Sequence, residues 1–315
     1  MIAAMRDGLL HEFRAMASPC RVRIDGVSGN DRQAARAAEG AAAEVRRIEA
    51  KYSRYRADSV LSRVNAAAGS RAPVPIDEET DHLLRFAGQL HASSDGLFDI
   101  TSGVLRRAWD FRAARPPAAA AVESVLALIG WQHVVHADGA VELPMPGMEL
   151  DLGGIGKEYA ADRAATLLRE AGFGHGYVNL GGDIRLLGPM RDGSPWLLGI
   201  AHPRIAGQVA AEVRLGDGAL ATSGDYERFL DHGGRRYCHI LDPRTGWPGH
   251  EWQSVSVVAP ACIAAGALTT IAMLKGLEAP RFLREQGVAH VLVDAQGRVT
   301  QWLPDDAAPP AAAGA

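Results

Sequence analysis

The sequence predicts an α+β fold, with mixed sheets and packed helices, from three observations. Segments with period-two alternation and segments with helical spacing follow one another without regular βα order, which argues against a doubly wound parallel sheet. Glycine-rich or polar blocks lie where predicted strands end, which is where sites are usually built. The apolar fraction is 47% over 315 residues, enough to bury a sizeable core.

Each element follows from its local pattern, with glycines such as Gly172 and Gly276 predicted to end helices. The predicted helices cover 32–52, 60–65, 77–93, 122–129, 157–171, 260–275 and 280–286. The predicted strands cover 17–26, 132–136, 140–151, 176–187, 196–201, 209–215, 219–222, 236–241, 253–258, 289–294 and 298–302. We expect one domain over residues 1–306 and a disordered Ala/Pro tail over 307–315.

Composition narrows the function class. The net charge is -4, and no basic stripe of the kind that binds nucleic acid stands out. No run approaches the roughly 18 apolar residues of a membrane span, so we expect no membrane partner. Residues 1–16 contain neither an apolar h-region nor a lipobox, which predicts a cytoplasmic protein unless the start codon is misassigned. Cys20, Cys238 and Cys262 form no CxxC pair and are predicted to be reduced, buried thiols.

The glycine-rich block Asp151–Lys157 lies between a predicted strand and a predicted helix. Glycines let the backbone approach a ligand, and a helix N-terminus offers N–H groups to an anion. It is not a Walker A loop, because Asp151 stands five residues before Gly156 and Glu158 occupies the Ser/Thr position. A plain strand-turn-helix corner is the alternative interpretation of this block.

The other polar blocks each have a structural and a functional interpretation. Asp99 and Thr101 either cap a helix or hold a ribose or phosphate. His239 lies in a turn with Asp242 and Arg244, a plausible phosphate-handling group. These blocks are 98–103, 179–184, 221–228 and 239–246.

The late predicted helix places Thr270 one turn after Gly266, on the same side. A hydroxyl at such a position usually bonds back to its own helix, which is the structural interpretation.

Together, in this order, the blocks resemble the FAD:protein FMN transferase family (ApbE, flavin transferase) over residues 10–280. The matching segments are Met16-Ala17-Ser18, Tyr55 before Asp58–Asn65, Phe98–Thr101, DLGGIGKEYAAD at 151–162, NLGGD at 179–183, ATSGDYER at 221–228 and HILDPRTG at 239–246.

The resemblance implies a fold and a reaction. Two intertwined lobes would surround an FAD cleft, and Mg²⁺ or Mn²⁺ would bind the pyrophosphate. A Thr or Ser hydroxyl of an acceptor protein would attack the FMN-side phosphorus of FAD, and AMP would leave. FAD and that acceptor protein are the expected partners. A non-catalytic FAD-binding protein and a metal-dependent FAD pyrophosphatase, giving AMP and FMN, are the alternatives.

The resemblance also assigns residues to roles. The implied catalytic residues are His239, Asp242 and Arg244. The implied metal site comprises Gly156, Gly266, Thr269 and Thr270. The implied contacts to FAD are Met16, Tyr55, Leu97, Phe98, Asp99, Asp151, Lys157, Asn179, Asp183, Ser223 and Ile240.

The sequence departs from the family pattern at three positions. Gly266 replaces a metal-binding Asp, Glu158 replaces Gly, and Ala17 replaces Gly. Because Mg²⁺ favours charged oxygen ligands, loss of the Asp should weaken the site unless water, Thr269 or an acid such as Asp242 substitutes. Glu158 could repel the pyrophosphate or help to hold a metal. Restoring the carboxylate by Gly266→Asp is expected to raise activity with Mg²⁺.

Overall fold

The computed structural model describes residues 2–5 and 8–304, and the predicted tail at 307–315 lies outside them. The helices of the described part are α1 (Arg32–Tyr52), α2 (Val60–Ala66), α3 (Glu78–Ser93), α4 (Ala119–Leu126), α5 (Gly156–Glu170), α6 (Cys262–Lys275) and α7 (Ala279–Glu285). The strands are β1 (Ile2–Met5), β2 (Gly8–Ala15), β3 (Ser18–Asp25), β4 (Val74–Pro75), β5 (Val135–Ala137), β6 (Ala140–Glu142), β7 (Gly176–Leu180), β8 (Asp183–Gly188), β9 (Trp196–Ala201), β10 (Val209–Leu215), β11 (Ala219–Gly224), β12 (Phe229–His232), β13 (Arg235–Cys238), β14 (Trp252–Ala259), β15 (His290–Asp294) and β16 (Val299–Trp302).

The main sheet has nine strands in the order β1-β2-β3-β7-β8-β11-β14-β15-β16. The α+β class is therefore confirmed. All its neighbours pair antiparallel, so strand direction is more uniform than the mixed sheets expected from the irregular order of elements. Tight hairpins such as β2–β3 and β7–β8 produce this arrangement, since a short turn can join only antiparallel strands.

Helices α1 and α5 pack against each other and against β2, β3 and β7. The alanine-rich sequence of α1 explains the close packing, because Ala34, Ala38 and Ala41 are fully buried and small. Asp31 caps the helix by accepting the N–H groups of Gln33 and Ala34.

Helix α6 packs against β11 and β14. Residues Cys262–Glu285, which include α7, are long and apolar enough to cross a membrane by length and composition, but half of the apolar window is buried in the protein. Core helices of water-soluble proteins commonly share these properties. The three cysteines are buried and unpaired, as predicted.

Some predicted elements were wrong in extent. Of the strand expected at 140–151, only β6 forms, because the rest is buried by side-chain packing without a ladder partner. The strand expected at 176–187 is two strands, since Gly181 and Gly182 adopt φ values of 63° and 105° and reverse the chain. Strands β1, β2, β4 and β12 were not predicted.

Candidate active site

Three chain turns meet at one end of the main sheet. They are the β2–β3 turn at Met16 and Ala17, the β7–β8 turn at Gly181, and the end of β11. The Gly181 N–H donates to the Pro19 carbonyl at 3.0 Å. A Cβ on Gly181 would lie only 2.8 Å from the Ser18 side chain. Glycine is therefore required where the first two turns touch.

The β2–β3 turn carries backbone strain at the site. Met16 and Ala17 have φ values of 51° and 58°, a region that side-chain-bearing residues seldom adopt. The Met16 N–H donates to Glu49 Oε1 at 2.6 Å, which fixes the turn against α1. Ala17, where the family pattern has Gly, thus keeps the left-handed conformation at some cost in stability.

A buried ion pair lies beside these turns. Lys157 Nζ is 2.6 Å from Asp183 Oδ2, and Asp183 Oδ1 accepts the N–H of Thr222 at 3.1 Å. Burial opposes the charge of Lys157, but Asp183 and Glu158 more than offset this and raise its pKa. Lys157 therefore stays cationic and can face an anionic ligand. Asn179 accepts the N–H of Gly182 and so shapes the turn that carries Asp183.

Helices α5 and α6 are fixed together by a carboxylate cap. The two oxygens of Asp162 on α5 accept the N–H groups of Cys262 and Ile263, each at 2.9 Å. Arg185 Nε lies 3.2 Å from the same carboxylate. This cap satisfies the first N–H groups of α6 and sets its position against α5.

One helical turn from this cap, Glu158 of α5 faces Gly266 of α6. A Cβ built on Gly266 would lie 2.5 Å from Glu158 Cγ and 3.0 Å from Oε1. Glu158 is 7% exposed, and its Oε2 has no hydrogen-bond partner among the described residues. Burial and the Asp183 carboxylate raise its pKa well above the usual range, with Lys157 offsetting this only in part.

This geometry corrects the expectation that Gly266→Asp alone would restore a carboxylate. The sequence analysis took Gly266 as the simple loss of an Asp, but Glu158 fills the space that a new side chain at this position would enter. Asp242, the other acid considered as a substitute for the family's metal-binding Asp, is instead bound by Arg244.

Three hydroxyls lie beside this contact. Ser223 Oγ is 2.8 Å from Thr269 Oγ1 and 3.4 Å from Thr270 Oγ1. The buried Thr269 hydroxyl also donates to the Gly266 carbonyl at 2.8 Å, so the bond back to the helix that the structural interpretation expected of Thr270 is made by Thr269 instead. Thr270 is half-buried and makes only the long contact in the described structure. Thr270 is therefore the better placed of the two to face a ligand.

The oxygens available here suit a hard divalent cation. Among the described residues no group of three or more His, Cys, Asp or Glu side chains could hold a metal. One carboxylate, hydroxyls and backbone carbonyls would have to suffice, and Mg²⁺ accepts such oxygen donors. The partnerless Oε2 of Glu158 is a buried acceptor that a cation would satisfy. Gly156 is the first residue of α5, two residues before Glu158.

The glycine-rich loop forms a second wall. Asp151 Oδ1 accepts the Gly153 N–H at 2.9 Å, and Arg54 pairs with its other oxygen. The Arg54 guanidinium lies 5.0 Å from the centre of the Tyr55 ring and donates to its hydroxyl at 2.9 Å. Tyr55 is 79% exposed. An exposed aromatic ring held by an arginine offers a stacking surface to a flat ligand.

The block at 98–103 packs against the glycine-rich loop. Asp99 Oδ1 accepts the N–H and hydroxyl of Thr101 at 2.8 and 2.6 Å, and Oδ2 accepts the Trp131 N–H at 2.9 Å. The capping alternative is thus the one observed, at the start of a 3₁₀ helix, Ile100–Arg107. Leu97 and Phe98 are buried as well, with the Phe98 ring against Gly154.

His239 follows β13 and lies across from the ion pair. Its N–H donates to the Arg228 carbonyl at 3.0 Å, and its side chain is accessible to solvent. The protein surrounding the other sides, together with the positive charges of Arg228 and Lys157, lowers the pKa of the imidazole. His239 is therefore neutral at pH 7 and can accept a proton. Ile240 comes next and is half-buried.

Asp242 and Arg244 bind each other rather than His239. Arg244 donates from its backbone to Asp242 Oδ1 at 2.8 Å and from Nη2 to Oδ2 at 2.7 Å. Within the described residues no hydrogen bond joins either side chain to the imidazole. Asp242 instead lines an open depression of about 560 Å³ with Trp247 and Glu278.

Sequence reasoning assigned no role to Arg54, Tyr226 or Arg228. The charge of Arg228 acts on both His239 and Tyr55, so Arg228 lies within electrostatic range of both residues. Tyr226 lies over Gly224, and burial followed by the neighbouring acids raises its pKa to about 12. Both residues stand within the quoted block 221–228, and that block was the available signal.

Comparison with known proteins settles the family. The family model described as "ApbE family" matches residues 16–293. The chain belongs to the ApbE family.

Curated relatives and solved structures agree with this assignment. The FAD:protein FMN transferase of Vibrio cholerae is 33% identical over 252 residues, covering 78% of this chain and 75% of the relative. The one from Treponema pallidum is 36% identical over 249 residues, covering 73% and 68%. The ApbE protein of Thermotoga maritima superposes with a TM-score of 0.85 at 31% identity, covering 93% and 96%. The flavin transferase ApbE of V. cholerae gives 0.81 at 26%, covering 96% and 98%.

Proposed function

We propose that this ApbE-family chain transfers the FMN half of FAD to a Thr or Ser hydroxyl of an acceptor protein and releases AMP. The observation that carries the proposal is the position of His239, whose solvent-accessible imidazole lies close enough to Arg228 and Lys157 for their charges to act on it. That combination can take a proton from a hydroxyl and stabilise negative charge on phosphorus oxygens. Retention of the whole 239–246 block supports the same reaction.

His239 would act on the attacking hydroxyl. The hydroxyl oxygen forms a bond to the FMN-side phosphorus, its proton passes to the imidazole, and the bond from phosphorus to the AMP oxygen breaks. The surrounding protein, together with the charges of Arg228 and Lys157, keeps the imidazole pKa low. A bound pyrophosphate offsets those cations and moves the pKa towards neutrality, where a general base works best.

The remaining residues would bind and orient FAD. Lys157, held by Asp183, faces the pyrophosphate as a fixed cation. Tyr55, supported by Arg54, offers its ring to one of the two aromatic ends of FAD. A bound Mg²⁺ or Mn²⁺ would neutralise phosphate charge. Thr270, the Gly156 carbonyl and a nearby carboxylate are the oxygens that would hold it.

One incubation tests the proposal. Full-length protein, FAD, Mg²⁺ and a Thr-containing acceptor protein are combined, and the products are read by mass spectrometry and an AMP assay. We expect one FMN added to the acceptor for each AMP released. AMP and free FMN without an adduct would indicate the pyrophosphatase instead. Bound FAD without AMP, with an acceptor that a working relative modifies, would leave a non-catalytic flavin binder.

His239→Asn tests the assigned base. We expect the rate of FMN transfer to fall by about 10²–10⁴-fold, the usual contribution of a general base. His232→Asn is the matched control, because His232 is an exposed histidine on β12 that makes no side-chain hydrogen bond in the described structure. Equal rates for His239→Asn and His232→Asn would remove His239 from the mechanism.

A further inference from the structure

The contact between Glu158 and Gly266 joins two departures from the family pattern at one point in space. The family has a carboxylate on α6 and glycine on α5, whereas this chain has glycine on α6 and a carboxylate on α5. The nearest three atoms to a Cβ on Gly266 all belong to Glu158, at 2.5, 2.9 and 3.0 Å. The carboxyl group has therefore moved from one helix to the other while remaining in the same space.

The packing of the two helices makes this exchange possible. The Asp162 cap fixes the start of α6 against α5 through the N–H groups of Cys262 and Ile263. Glu158 lies four residues before Asp162, and Gly266 four residues after Cys262. Residues four apart share a helix face, so Glu158 must lie over Gly266. Any side chain at 266 would collide with it, which explains why glycine stands there.

Glu158 also has an acceptor that the protein leaves unused. The residue is 93% buried by area, its exposed fraction being 7%. Its Oε2 has no hydrogen-bond partner among the described residues. A buried carboxyl oxygen without a hydrogen-bond partner is unfavourable, so a ligand for it is expected.

The neighbours of Glu158 fit a cation better than an anion. Thr270, one helical turn after Gly266, and Ser223 present hydroxyl oxygens 3.4 Å apart, and the Asp183 carboxylate, which is paired with Lys157, acts on Glu158 from nearby. Lys157 is paired with Asp183 at 2.6 Å, so its charge offsets the effects of burial and of Asp183 on Glu158 only in part. Oxygen atoms from one or two carboxylates and hydroxyls are the donors that Mg²⁺ and Mn²⁺ accept.

We propose that Glu158 supplies the metal-binding carboxylate of this site from α5, in place of the aspartate that the family pattern places at position 266. The use of the metal in FMN transfer rests on the proposed function, whereas metal binding by Glu158 does not depend on it. Such binding also resolves the alternatives for Glu158: the carboxylate recruits the cation and does not act to repel the pyrophosphate.

Mn²⁺ binding, followed by the electron paramagnetic resonance signal of the free ion, tests the proposal without any turnover. Full-length protein is titrated with Mn²⁺, with and without FAD and with no acceptor. We expect Glu158→Gln to weaken Mn²⁺ binding at least tenfold, while FAD binding without metal is retained. Glu170→Gln, an exposed glutamate at the end of the same helix, is the control and should bind as the wild type does.

Exchanging the two residues gives the sharper test. Glu158→Gly with Gly266→Asp recreates the family arrangement and should recover Mn²⁺ binding to within about threefold of wild type. Glu158→Gly alone should not. Mn²⁺ binding by Glu158→Gln equal to wild type, or no binding by the wild type even with FAD, would overturn the proposal. Mn²⁺ binding that depends on Glu158 in a protein that transfers no FMN would leave it standing and reject only the proposed function.

Discussion

Two carboxylates on α5, one helical turn apart, face α6 and have opposite surroundings. Asp162 accepts two backbone N–H groups and lies beside Arg185. Glu158 is buried against Gly266 and leaves Oε2 without a partner in the described structure. Burial raises the pKa of both groups, but only Asp162 has bonds that work against the rise from the backbone of α6.

The difference separates a structural acid from a binding acid on the same helix face. Asp162 is satisfied by the protein itself, so its contribution is to position α6. Glu158 has no protein partner for Oε2 in the described structure, and in the proposed metal role a cation would provide one. Matched substitutions at the two positions separate these roles.

The largest effect is expected for Asp162→Asn. The asparagine amide keeps the shape of the Asp162 side chain. Its NH₂ group cannot accept a hydrogen bond, however, so one N–H group of α6 that the carboxylate binds would lose its acceptor. We expect the free energy of unfolding to fall by about 2–4 kcal/mol, because one hydrogen bond to a charged acceptor is lost and one N–H group of α6 is left without a partner. Chemical denaturation measures it. Glu170→Gln, exposed on the same helix, should change stability by less than about 0.5 kcal/mol. A loss below about 1 kcal/mol for Asp162→Asn would end its role as a cap.

Gly266→Ala tests whether positions 158 and 266 share one space. Alone it should destabilise the protein by about 1–3 kcal/mol, because the new methyl group overlaps Glu158 Cγ. In the Glu158→Gly background the same change should become neutral or stabilising, since alanine favours a helix by about 1 kcal/mol. A double-mutant cycle gives the coupling.

Gly40→Ala is the matched control for that cycle. Gly40 lies within α1, and a Cβ there would meet no atom within 4 Å. The substitution should stabilise the protein by about 0.5–1 kcal/mol. If Gly266→Ala behaves like Gly40→Ala, Glu158 does not occupy the space over position 266.

A third carboxylate that contacts α5, Glu79, is paired with side chains and gives a pH signature. Burial opposes its charge, but hydrogen bonds from Arg47, Lys51 and Tyr159 outweigh it and lower its pKa to about 2. A depressed pKa contributes stability above the unfolded value near 4.5, and this is lost as pH falls from 4.5 towards 2. After allowance for solvent screening we expect a loss of about 1 kcal/mol.

Denaturation at pH 5 and pH 2.5 measures this contribution against Glu79→Gln. The variant should lose about 1 kcal/mol less over that interval than the wild type. An equal loss in both proteins would mean that other acids carry the pH dependence.

The sequence predicted the α+β class and most helices because their apolar spacing is regular. It also located the site blocks, since glycines and polar residues at strand ends are visible without a structure. It missed β2 because the segment was considered only as a possible leader. It overextended the strand at 140–151 because Leu143, Met148 and Leu150 are buried by packing, and burial alone does not distinguish a strand from an extended loop.

Pairwise relations within the site could not be predicted. Gly266 and Glu158 were seen as two separate departures, because the one-turn correspondence between α5 and α6 is set by the Asp162 cap and not by either local pattern. Likewise, Asp99 accepts a hydrogen bond from Trp131, and Asp242 accepts one from Arg244. These contacts depend on how the chain folds, so the sequence alone did not show that both carboxylates are already bound. The sequence therefore showed which reactive residue types are present, but not which of their side chains remain free to contact a ligand.

The smallest effect is expected for Glu158→Gln without metal, and it is the counterpart of Asp162→Asn. The amide keeps the shape of the side chain, removes a buried acid, and can donate to the neighbouring Asp183. The free energy of unfolding should therefore stay within about 0.5 kcal/mol of wild type or rise. Denaturation in the presence of a chelator measures it. A loss comparable to that of Asp162→Asn would mean that Glu158 is held by the protein itself, and the contrast between the two carboxylates would disappear.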